Sequence, residues 1–228
     1  MRNEKLKVLL LRTIGNFLIL TSLLGVVMVF GPALKAEVSY RWHQIRGIRF
    51  VLPGQQEKAQ PQGFLSFFGP GSVEVIEPVD VQFSIVIPKI NANAKVVPNV
   101  DAGNYKEYMA ALKLGVAHAK GTKLPGAKGN MYLFAHSTDN VWNVGRYNAV
   151  FYLLKELEKD DTVHIFFNGW QYDYKVYEKS IVAPDQVQYL TEQPDDYILT
   201  LQTCYPPGTT WKRLILRAKL LSAQPSTK

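Results

Sequence analysis

The sequence predicts a mainly β protein: a closed barrel of about eight strands with a few short helices, preceded by one N-terminal transmembrane helix. Three observations carry this prediction. Short apolar runs bounded by Gly, Pro and Asn recur from residue 83 to residue 220. Helical spacing is confined to two brief stretches, so most of the core must come from strands closing on one another. Near the N-terminus, residues 13–34 form 22 consecutive positions without a charge, between Arg12 and Lys35.

That uncharged run would make a helix about 33 Å long, enough for a hydrocarbon core of roughly 30 Å. A cleaved leader is the alternative. The run is longer than an ordinary leader core, and only Gly31 and Ala33 flank a cleavage-like position, so an uncleaved anchor is expected. Arg2, Lys5, Lys7 and Arg12 precede the span, and Lys35, Arg41, Arg46 and Arg49 follow it, so the charge rule for orientation is close to a tie. The short arm favours an N-terminus inside the cell and a domain outside. The expected organisation is an arm over 1–12, an anchor over 13–34, a stalk and linker over 35–72, and the barrel over 73–228.

Residues 36–50 read as a short helix or stalk. Residues 51–72 are rich in Pro, Gly and Gln, as a linker is, with an apolar insert, Phe64-Leu65-Ser66-Phe67-Phe68. Phe83-Ser84-Ile85-Val86-Ile87 begins the barrel, and Pro88 ends or bends that strand. Ala94-Lys95-Val96-Val97-Pro98 is its expected partner. Residues 105–114 carry good helix formers, with Gly115 as the stop. A short strand follows at Val116-Ala117-His118, and a clear one over 130–136. Residues 151–157 are amphipathic at helical spacing. Strands are expected over 162–167, 171–182, 198–204 and 214–220, with Asn168-Gly169 as a hairpin turn.

Composition excludes several classes of function. A chain that is 47% hydrophobic and 20% charged can bury a core and is not disordered in bulk. Of the net charge of +7, the first 13 residues hold +3, and the rest is spread thinly. No Lys/Arg run interleaves with aromatics, so no nucleic-acid groove is expected. Asp160-Asp161 and Asp195-Asp196 read as turn residues, and no cluster has metal-ligand spacing, so neither a metal nor another cofactor is expected.

The single cysteine, Cys204, forbids an intramolecular disulfide. In an oxidising compartment a lone thiol is either a buried small hydrophobe or a working group. Cys204 ends the apolar run Tyr197-Ile198-Leu199-Thr200-Leu201-Gln202-Thr203. After a loop with two prolines and a glycine, Arg213 opens the next run, Arg213-Leu214-Ile215-Leu216. Antiparallel strands joined by that loop would set the cysteine near the arginine. Arg217 shares the face of Arg213, and spacing alone does not choose between them. Of the four histidines (His43, His118, His136 and His164), His136 ends an apolar strand. A thiol attacks a carbonyl as thiolate, a histidine supplies and takes protons near neutral pH, and an arginine fork steadies an oxyanion.

Taken together these residues resemble the sortases, membrane-anchored cysteine transpeptidases. The family's Thr-Leu-x-Thr-Cys signature stands here as Thr200-Leu201-Gln202-Thr203-Cys204. Its arginine falls on Arg213, and the order His, Cys, Arg agrees. Residues 121–130, Gly-Thr-Lys-Leu-Pro-Gly-Ala-Lys-Gly-Asn, resemble the run before the family's catalytic strand and select His136 over His118. The resemblance covers roughly residues 81–220. It implies His136, Cys204 and Arg213 as catalytic residues, with Thr203 and Trp211 touching substrate. It also implies surface proteins with Leu-Pro-x-Thr-Gly-like sorting signals as substrates, and an amine of a cell-wall precursor or pilin as acceptor. Ala135-His136-Ser137 departs from the usual small Gly before the histidine and Arg after it. Glu77-Pro78-Val79 is no match for the Asp-Pro-aromatic lid of many pilin-polymerising members. The cysteine–arginine cluster of peptidoglycan L,D-transpeptidases is absent, and papain-like peptidases place the cysteine before the histidine. A non-catalytic barrel that binds wall components, or a hydrolase using the same thioester, is the remaining alternative.

Overall fold

The computed structural model describes residues 2–54, 72–137 and 150–226. The expected apolar insert at 64–68 lies outside the described residues. Helix α1, Arg2–Arg46, carries the uncharged run and continues well past it. Its stretch Glu4–Met28 is long and apolar enough to cross a membrane and is not buried against the rest of the chain. The end of α1 behaves differently. Tyr40 is buried in the same apolar cluster as the barrel core. The segment expected as a stalk is thus partly docked.

Eight strands close the barrel, as the apolar runs predict: β3 (Phe83–Ile87), β4 (Ala92–Val100), β5 (Val116–Ala119), β6 (Gly129–Phe134), β7 (Thr162–Phe167), β8 (Trp170–Val182), β9 (Tyr197–Tyr205) and β10 (Lys212–Pro225). Around the barrel the order is β10, β8, β7, β3, β4, β5, β6, β9 and back to β10. Two neighbouring pairs, β4 with β5 and β6 with β9, run parallel; the rest are antiparallel. Two short strands on either side of the expected linker, β1 (Arg49–Val51) and β2 (Val73–Val75), pair in parallel. Leu52 and Ile76, next to them, bury against Val86 and Phe166 of the barrel.

Local chemistry explains the boundaries. Pro88 cannot continue the ladder, and the chain enters a single 3-10 turn, Pro88–Ile90. The Asn168-Gly169 hairpin has both residues at positive φ, 49° and 77°, as a two-residue turn of the primed kind requires. Helix α2, Tyr105–Leu112, is capped by Asn104, whose side chain accepts from the Glu107 amide. Gly115 follows it because strand β4 leaves no room: a Cβ there would lie 2.3 Å from the Lys95 carbonyl oxygen.

The segment over 151–157 is not the α-helix that its amphipathic pattern predicts. It forms a 3-10 turn, Tyr152–Glu156. Phe151, Leu154 and Leu157 are all fully buried, and their spacing of three matches three residues per turn rather than 3.6. Each such burial contributes about 1.5–3 kcal/mol, which outweighs the poorer hydrogen-bond geometry of one tight turn.

Candidate active site

Strand alternation decides which side chains can do chemistry. In β9, Leu199, Leu201 and Thr203 point into the barrel, and each faces an inward residue of β10: Ala218, Leu216 and Leu214. Thr200, Gln202 and Cys204 therefore point outward, opposite Arg217, Ile215 and Arg213. Cys204 and Arg213 are direct cross-strand partners, and both are half-buried. Register thus sets Arg213, and not Arg217, opposite Cys204. Arg217 sits at the other end of the pairing, where it bonds Glu192 and lies 3.4 Å from Glu178.

The parallel partner of β9 brings the histidine. The ladder runs from Gly129 opposite Tyr197 to Phe134 opposite Gln202. Beyond it the Ala135 amide still donates to the Gln202 carbonyl at 3.2 Å. The Thr203 hydroxyl donates to the Ala135 carbonyl at 2.9 Å. With Ala135 and Thr203 clasped, the next residue on each chain is His136 and Cys204. The Arg213, Cys204 and His136 positions therefore lie side by side across β10, β9 and the end of β6.

Thr203, expected to touch substrate, has its side chain turned away from the outward face. It is 3% exposed and faces the barrel interior, because the two-residue period that turns Cys204 outward turns Thr203 inward. Its hydroxyl ties the two strand ends instead. Trp211, by contrast, is 74% exposed on the loop between β9 and β10, so it is no part of the core.

The outward face is covered at one end and open at the other. At the covered end, Asn130 donates to the Tyr189 carbonyl at 2.8 Å and accepts from the Thr200 hydroxyl at 2.8 Å. The β8–β9 connection, with the short helix α3 (Gln188–Thr191), lies over this end. Towards the open end, Phe134 meets Tyr108 of α2 edge-on at 6.5 Å. Gln202, His136, Cys204 and Arg213 are half-exposed there. The Glu77-Pro78-Val79 segment is strapped elsewhere, to Asn93 on β4.

Two residues of this face escape the sequence reading. The buried Tyr132 phenol donates to the Gln202 side-chain oxygen. Burial pushes its pKa well above the ordinary tyrosine range, against the opposing pull of the Arg213 guanidinium. Tyr132 thus stays protonated as a donor and fixes which way the Gln202 amide faces. The signal was present: Gln202 lies two positions before Cys204, and Tyr132 four before His136, both even intervals on a strand. Arg213 donates through Nη1 to the Thr210 and Lys212 carbonyls, at 3.0 and 3.1 Å. Its guanidinium is held to the rim of the loop by these two bonds.

Two of the other histidines, His118 and His164, are buried in the barrel. His118 is buried; its Nδ1 accepts from the Asn99 amide at 3.2 Å, and Nε2 faces the Lys123 carbonyl at 3.1 Å. Burial lowers its pKa, only partly offset by the Lys123 carbonyl. His164 is buried against Asp173, at 2.6 Å.

A sortase domain family model matches residues 85–221, more than half the chain. Sortase D of Bacillus subtilis (strain 168) is 31% identical over 136 residues, covering 58% of this chain and 60% of that protein. Sortase A of Streptococcus agalactiae serotype III (strain NEM316) is 27% identical over 136 residues, covering 60% of this chain and 51% of that protein. The chain thus spans less than two thirds of the length of either relative. Among solved structures, sortase C-1 from Actinomyces oris superposes with a TM-score of 0.52 at 25% identity, over 63% of this chain and 74% of that one. Listeria monocytogenes sortase A shares the fold at a TM-score of 0.53 and 23% identity, over 65% of this chain and 93% of that one.

Proposed function

Because this chain belongs to the sortase family, we propose that it is a membrane-anchored cysteine transpeptidase acting on sorting signals of the Leu-Pro-x-Thr-Gly kind. The observation that carries this reading is the pairing of Arg213 with Cys204 on the open face, beside the strand end that bears His136. The Cys204 thiolate attacks the threonine carbonyl carbon, and the carbonyl electrons move to oxygen. Arg213 turns from its loop carbonyls to hold that oxyanion. As the carbon–nitrogen bond breaks, His136 gives its proton to the departing glycine amine. The thioester that remains is attacked by an amine of a cell-wall precursor or a pilin. His136 takes that amine's proton, and the thiolate leaves. Trp211, exposed on the β9–β10 loop, walls one side of the groove.

Residues 13–34 serve as the membrane anchor, with 1–12 inside the cell and the barrel outside. The test uses the full chain in detergent micelles, with quenched peptides carrying variants of the motif. Cleavage between Thr and Gly that is abolished by Cys204→Ala, with ligated product when a glycine or diamine is added, is the expected result. Cleavage without ligation in any amine would identify a hydrolase. A folded, reduced protein that cleaves none of the peptides would favour a non-catalytic binding barrel.

A further inference from the structure

The end of α1 meets the barrel through a closed ring of four charges. Glu37 lies 3.2 Å from Lys155, Lys155 lies 3.8 Å from Glu156, Glu156 lies 3.5 Å from Arg41, and Arg41 lies 3.0 Å from Glu37. Two members belong to α1 and two to the 3-10 turn Tyr152–Glu156. Tyr40, between the two helical members, is buried with the core. The far side of the same turn is fixed to β8, where Lys179 donates to the Lys155 carbonyl at 2.6 Å. Immediately before the turn, the Phe151 amide donates to the His136 carbonyl at 3.3 Å. One short segment is thus gripped by the anchor helix and bonded to the backbone of the candidate catalytic histidine.

We infer that Glu37 and Arg41 are positioning residues for His136: through Lys155 and Glu156 they fix the turn whose leading amide holds the His136 backbone beside Cys204. A lone exposed ion pair stabilises little, but a four-membered ring around a buried tyrosine restricts one geometry. The consequence is that the helix carrying the membrane anchor also belongs to the catalytic unit. The inference rests on the reading of His136 and Cys204 as a working pair.

The test needs no substrate, because Cys204 is the only cysteine. The rate of its alkylation by iodoacetamide is followed against pH in the full chain in micelles, together with the thermal midpoint. His136→Gln defines the part of the profile that the histidine supplies. Glu37→Lys with Arg41→Glu keeps the pair within α1 but opposes like charges across the interface; Lys155→Glu with Glu156→Lys does the same from the turn. Each double variant is expected to move the profile towards that of His136→Gln, changing the neutral-pH rate by about threefold to tenfold. The fourfold variant, which restores opposite charges across the interface, is expected to return it to the wild-type profile. An unchanged profile in the double variants, or a change that the fourfold variant does not reverse, overturns the inference. If the wild-type chain cleaves no sorting peptide, the proposed transfer fails while this coupling is still decided by the alkylation profile.

Discussion

At the residue scale, one clasp and one register make the site. Thr203 and Ala135 bind the ends of β9 and β6, and the next residue on each is Cys204 or His136. Arg213 is held opposite the cysteine by the β9–β10 ladder. The oxyanion role proposed for it depends on the planar fork, which lysine lacks. Arg213→Lys is therefore expected to lower kcat about 100-fold or more, with a smaller change in KM, in steady-state cleavage of a sorting peptide. Arg217→Lys is expected to act on stability instead, because Arg217 serves Glu192 and Glu178. Comparable losses of kcat in both variants would mean that register is the wrong guide to the oxyanion partner.

At the element scale, the strands were legible in the sequence because their apolar alternation is a direct record of which side is buried. The apolar runs foretold all eight barrel strands, and Pro88 and Asn168-Gly169 marked real boundaries. What stayed hidden was pairing. Nothing in residues 129–134 or 197–205 announces that β6 lies parallel to β9, although that pairing brings the His136 position beside that of Cys204. The segment over 151–157 misled because three buried residues three apart satisfy a helical pattern loosely and a 3-10 turn well. The Gly115 prediction, a helix stop, was incomplete in physical terms: its main constraint is the approach of α2's end to β4. Gly115→Ala is expected to destabilise the protein by about 1–3 kcal/mol in chemical denaturation, because the added methyl meets backbone rather than a movable side chain. A neutral result would show that β4 yields there.

At the scale of the whole molecule, acid sensitivity of the barrel is expected from buried His118 and half-buried Asp173. His118 has a folded pKa below its ordinary 6.5, chiefly through burial, so the unfolded chain binds the extra proton first. The stability it contributes is whole above pH 6.5 and falls as pH drops from there through the folded value. Burial raises the pKa of Asp173, but bonds from His164, Gln171 and Ser222 outweigh it and leave it below the ordinary 3.8. Its contribution is present above pH 3.8 and is lost as pH falls through the lower, folded value. Denaturation midpoints measured from pH 8 downward should therefore fall in two stages, the upper one flattened in His118→Gln. A midpoint that rises on acidification between pH 7 and 5 would contradict this assignment. Acyl transfer through Cys204 is tested by intact-mass analysis of the full chain after rapid acid quenching with a sorting peptide and no amine. The expected result is an adduct equal to the peptide up to and including its threonine, located on Cys204, discharged by hydroxylamine and absent in Cys204→Ala. Cleaved peptide with no adduct on a fully reduced Cys204, at times when product is still accumulating, would contradict it.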